Sequence, residues 1–115
     1  MKQFMMIFIG QEYTDLGLSP EEMQNRMNKW FAWSQKMEEA GIKHEGEALT
    51  SKIRRISGIE RTAKDLTSTE LKEIVGGYYT VKANDFDEVE KIAKDFPDYD
   101  LGSIVEIREV MVFDH

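Results

Sequence analysis

Three polar residues of this chain, Tyr78, Glu106 and Arg108, fall at positions that could bring them to one place. Glu106 and Arg108 sit two apart in a run, residues 103–113, that alternates as a strand does, so they share a face with Ile104, Val110 and Val112. The other parity, Val105, Ile107, Met111 and Phe113, is greasier and is expected to meet the helices. Tyr78 and Thr80 then take the side of Glu106 and Arg108 if Tyr79, Val81 and Ala83 face the helices. In a desolvated cleft, an arginine beside a carboxylate can hold a ligand carboxylate or polarise a carbonyl while a tyrosine donates a hydrogen bond. The plainer alternative is a structural Glu106–Arg108 pair at a subunit interface.

Glu47 and Asp65 are expected near the rim of the same cavity. His44 is the one interior histidine, since His115 ends the chain. It could act as a general base near neutral pH, or simply be a hydrogen-bonded histidine on an edge strand. A single imidazole with no cysteine in the chain makes a poor metal site, so no tightly bound transition metal and no other cofactor is expected. Asp65, Glu70, Lys72 and Glu73 precede a central strand and read either as a solvated turn or as a lid over the cleft. Gly76-Gly77 is not a phosphate loop, because no Gly-Lys-Ser/Thr and no helix start follow it. No Ser-His-Asp order fits a nucleophile motif.

The elements that would position these groups follow from local pattern. Residues 4–9 are all apolar and read as a buried first strand. Ser19-Pro20-Glu21-Glu22 opens a helix: Ser19 caps, Pro20 suits the first helical position, and Glu22 closes a capping box. Met23, Met27, Trp30, Ser34 and Met37 recur at helical spacing, with Phe31 beside them, and Gly41 stops the helix. Trp30 and Trp33 are read as facing different sides of that helix, one of them toward a partner surface. A weak strand over 43–49 precedes a hairpin over 53–61 with Ser57-Gly58 at its turn. Residues 74–81 form a central strand in which two glycines suggest a bulge or close backbone approach. Asn84 or Asp85 caps a second helix with Val89, Ile92, Ala93 and Phe96 on its apolar side, and Pro97 ends it.

The order is strand, helix, strand with a hairpin insertion, strand, helix, strand, an α+β pattern of the ferredoxin-like βαββαβ kind. With 115 residues the chain is expected to be one domain. The first strand is apolar on both faces, yet two helices cover only one face of a four-stranded sheet. A second copy of the same sheet is the expected cover, giving a homodimer. The 22 acidic and 15 basic residues give a net charge of −7, which argues against nucleic acid as the main partner. The apolar run at the N-terminus is too short for a membrane span or a secretory signal. The lack of cysteine fits a cytoplasmic protein.

Four segments together resemble the YCII-related proteins, in particular the branch named for a DGPF motif. They are Leu18-Ser19-Pro20-Glu21-Glu22-Met23, Gly46-Glu47-Ala48-Leu49, Glu70-Leu71-Lys72-Glu73-Ile74-Val75-Gly76-Gly77-Tyr78-Tyr79, and Val105-Glu106-Ile107-Arg108-Glu109-Val110-Met111. Where the family has Asp-Gly-Pro-Phe, this chain has Asp65-Leu66-Thr67-Ser68 and keeps only the aspartate. The resemblance implies a ferredoxin-like fold paired into a dimeric α/β barrel. Most members have no established activity. Some have been proposed as enzymes because of a His–Asp pair, which has no counterpart at a matching position here. Two functions stay open: a module that binds a small polar metabolite, with or without metal-free acid–base chemistry, and a noncatalytic interaction or regulatory module.

Overall fold

The computed structural model describes residues 1–67, 70–71 and 73–113. Its elements are β1 (Lys2–Ile9), α1 (Pro20–Glu39), β2 (His44–Ala48), β3 (Ile53–Ser57), β4 (Thr62–Leu66), β5 (Val75–Ala83), α2 (Phe86–Ala93) and β6 (Ile104–Glu109). Strands β2, β5, β1 and β6 lie in that order in one antiparallel sheet, while β3 and β4 pair only with each other. This is the α+β, ferredoxin-like βαββαβ fold with a hairpin inserted between β2 and β5.

The helix starts are built as their sequences dictate. Ser19 Oγ accepts from the Glu22 amide at 3.2 Å and the Glu22 carboxylate accepts from the Ser19 amide, so both halves of the capping box form. Asp85 caps α2 through the Glu88 amide. α2 stops at Ala93, ahead of Pro97, and Phe96 turns back into the core.

The core lies between the two helices and one face of the sheet. Phe4, Met6 and Phe8 of β1 meet Val81 and Ala83 of β5, Trp33 and Met37 of α1, and Val89 and Ala93 of α2. Trp30 packs against the same cluster, and the Trp30 and Trp33 rings are 5.5 Å apart. The two indoles therefore share the core-facing side of α1, because residues three apart on a helix are neighbours. Met27 and Phe31, by contrast, are exposed.

Most strand ends shift by a residue or two from the sequence reading, and the hairpin and the last strand differ more. The hairpin turn spans Gly58 to Arg61, both with positive φ, and is closed by the Arg61 amide on the Gly58 carbonyl at 3.1 Å. β6 ends at Glu109, opposite Phe4 of β1. One further bond, from the Val110 amide to the Gln3 carbonyl, follows it. Met111, Val112 and Phe113 are accordingly exposed.

Candidate functional site

At one end of the helix-covered side of the sheet the backbone leaves a cleft of about 360 Å³. Its floor is where β1 ends (Phe8–Gly10), β2 ends (Glu47–Leu49) and β5 begins (Gly76, Gly77). The close strand packing there needs glycine: a Cβ on Gly77 would sit 2.7 Å from the Glu47 carbonyl oxygen. The walls are apolar and largely aromatic, formed by Met27, Trp30 and Phe31 of α1 together with Tyr79 and Phe96. Phe8 lies at their centre, stacked on Phe96 and edge-on to Trp30 and Tyr79.

One polar cluster is built into this wall. The Tyr13 hydroxyl donates to Asp98 Oδ2 at 2.6 Å. Trp30 Nε1 reaches the same carboxylate oxygen at 3.0 Å and the Tyr13 oxygen at 2.9 Å. Asp98 is buried, and its other oxygen lies 3.5 Å from Arg26 Nη1. Arg26 also donates to the Pro97 carbonyl and forms a two-pronged bond to Asp100, each arm 2.6 Å. The buried carboxylate thus receives donors on both oxygens, as a buried charge requires.

These contacts set the charge states. Burial first, and the neighbouring Asp98 second, push the Tyr13 phenol well above its usual range, so it stays a hydrogen-bond donor. The Arg26 guanidinium holds the exposed Asp100 carboxyl down at about 2. Asp100, first of all, in turn raises Arg26 further. The residues lining the cleft include Glu12, Glu47 and Asp98 but no lysine, arginine or histidine. Glu12 also fixes the loop after β2, accepting from the Ser51 amide at 2.8 Å.

Of the residues singled out from sequence, Glu47 borders this cleft. Tyr78, Glu106 and Arg108 instead lie on the opposite, helix-free face. The register Glu47–Tyr78–Ile7–Glu106 makes one row across the sheet there, and Glu45–Thr80–Met5–Arg108 the next. Glu106 and Arg108 are exposed and, among the described residues, enter no ion pair. Asp65 is on the hairpin, where it pairs with Arg54 at 2.7 Å. His44 faces α1: its Nε2 lies 2.7 Å from Ser34 Oγ, its ring is 4.9 Å from Tyr79, and its buried Nδ1 has no partner among the described residues. Glu70 accepts from the Thr67 amide. Lys72, Ser68 and His115 lie outside the described residues.

Sequence reading missed Tyr13, Arg26 and Asp98. The usable signal was Trp30, whose indole N–H needs an acceptor once the ring is buried, together with two carboxylates that follow Pro97. Comparison with curated proteins gave no match. A family model for the YCII-related domain does match, over residues 4–114, and the chain belongs to that family.

Proposed function

We propose that this protein is a small-molecule-binding module that works as a homodimer in the cytoplasm. The observation that carries the reading is the 360 Å³ cleft, whose apolar aromatic walls enclose one fixed polar cluster. That combination is what a specific organic ligand uses: apolar surface for affinity, a few convergent polar groups for orientation. Because Glu12 is the carboxylate of the lining not tied to a cation, the Glu47 side chain turns to the other face, and no lysine, arginine or histidine lines the cleft, the ligand class is an apolar body that is neutral or carries a positive group, and anions are disfavoured. Binding without catalysis fits the cluster better than acid–base chemistry. Tyr13 is held protonated, and Asp98 already accepts from Tyr13 and Trp30.

A second copy is proposed to cover the helix-free face, where Met5, Ile7, Tyr78 and Ile104 leave an apolar strip between charged residues. The lack of cysteine suits a reducing compartment. The test is a thermal-shift screen of neutral, cationic and anionic metabolites, with hits followed by tryptophan fluorescence, since Trp30 lines the cleft. Hits should come from the neutral and cationic sets and be lost in Phe31→Ala. Hits confined to anions, or unaffected by that change, would refute the reading.

A further inference from the structure

Two aromatic rings in the lining of the cleft give their polar hydrogens to one carboxylate. The Tyr13 hydroxyl donates to Asp98 Oδ2 at 2.6 Å, and Trp30 Nε1 points at the same oxygen at 3.0 Å. Both residues line the cleft. A hydrogen bond from a phenol or an indole to a buried anion pushes electron density into the ring, because such groups polarise one another in a low-dielectric interior. The faces of these two rings are thereby made more negative, and an aromatic face is where a cation binds.

The charge of Asp98 is already engaged, by Tyr13, Trp30 and Arg26. Arg26 is not part of the lining, and its single positive charge faces the two carboxylates Asp98 and Asp100. The charge left for a ligand is that of Glu12. It accepts from the Ser51 amide through Oε1 at 2.8 Å and enters no ion pair among the described residues. The lining also includes the exposed Met27 and Phe31, whose apolar surface a ligand would cover.

An aromatic wall with one unpaired carboxylate discriminates among cations. A primary ammonium carries three donors that water satisfies, and a mostly apolar lining replaces few of those bonds. A quaternary ammonium has no N–H to satisfy. Its charge is spread over methyl groups that pack against ring faces, and it keeps its attraction to a nearby carboxylate.

We propose that the cleft binds a quaternary ammonium group carried on an apolar body, with Trp30 and Tyr13 supplying the ring faces and Glu12 the countercharge. This names the charged group of the ligand proposed above and rests on the cleft being a ligand site.

The test titrates the full-length chain by calorimetry with three related alcohols: choline, its neutral isostere with carbon in place of nitrogen, and ethanolamine. Choline should bind about tenfold more tightly than either of the others. Glu12→Gln keeps an acceptor for the Ser51 amide and should weaken choline alone, about threefold. Fluorinated tryptophan, incorporated throughout, should weaken choline stepwise with each fluorine and leave the isostere unchanged, because fluorine withdraws charge from the ring face. The other tryptophan, Trp33, is not in the lining.

Equal affinity for choline and its isostere would overturn the proposal and leave the cleft standing as a site for neutral ligands. Ethanolamine bound as tightly as choline would overturn the quaternary head. Choline binding indifferent to fluorination would overturn the part given to the ring faces, and with it the proposal. Should choline not bind at all, the proposal falls alone if the thermal-shift screen still gives hits that Phe31→Ala abolishes. It falls together with the small-molecule reading if the screen gives none.

Discussion

Tyr13 and Asp98 are 85 residues apart in sequence and meet at 2.6 Å in the wall of the cleft. The contact ties the loop after β1 to the segment after α2, and Trp30 of α1 joins both. Replacing either partner should therefore loosen three parts of the chain together. Tyr13→Phe should cost about 1.5–3 kcal/mol, the worth of one hydrogen bond to a charged acceptor. Asp98→Ala should cost about 3 kcal/mol or more, since it strands the Tyr13 and Trp30 donors and weakens the hold on Arg26. Urea unfolding should show both as lowered midpoints with unchanged slopes.

The same cluster sets two pH limits. The folded state favours the protonated Tyr13 phenol, whose usual value is 10.0. Its contribution is complete below that pH and is lost as the pH rises beyond it, when the unfolded chain ionises more readily. Asp100 works in the other direction: lowered from 3.8 to about 2, it contributes fully above its usual value and loses this as pH falls through about 2. Denaturant midpoints across pH should show a flatter alkaline limb in Tyr13→Phe and a flatter acid limb in Asp100→Asn.

Gly46 on β2 should not tolerate a side chain. A Cβ there would run into the Tyr78 carbonyl of β5 and crowd the Tyr79 ring. Gly46→Ala should destabilise by about 1–3 kcal/mol through backbone displacement. Thermal unfolding of this variant beside Gly58→Ala gives a useful contrast. Gly58 has open space around it but a positive φ of 77°, so its penalty comes from backbone strain alone.

Sheet pairing predicts a change of mass from one residue. Ile7 lies mid-row on the helix-free face, between Tyr78 and Glu106. Ile7→Lys would bury an unpaired charge in that interface and should convert a particle of about twice the 13.4 kDa chain mass into a monomer. Light scattering at micromolar concentration decides it. A wild-type monomer would remove the premise.

What the sequence disclosed and what it hid divide by distance along the chain. The capping box at Ser19, the cap at Asp85 and the apolar run of β1 are decided within a few residues, so local pattern suffices. The strand parity that groups Tyr78, Glu106 and Arg108 was legible for the same reason. The Tyr13–Trp30–Asp98 cluster was not, because a tyrosine in a loop and an aspartate after a proline look like ordinary solvated residues until the fold joins them. The reach of β6 was overstated because its alternation continues through Val112, while its pairing with β1 stops opposite Phe4, a long-range register that local pattern does not carry.

The strand order β2–β5–β1–β6 places β1, residues 2–9, in the middle of the sheet, hydrogen-bonded on one side to residues 75–83 and on the other to residues 104–109. During synthesis this apolar strand therefore emerges well before either of its partners, β5 and β6. Until Ile104–Glu109 has been translated, β1 has an unfilled edge, and Phe4, Met6 and Phe8 lack part of their cover. Such long-range pairing slows folding. It also leaves an aggregation-prone strand exposed on the nascent polypeptide, so chaperone demand in the cell should track the time the ribosome takes to cover that hundred-residue gap.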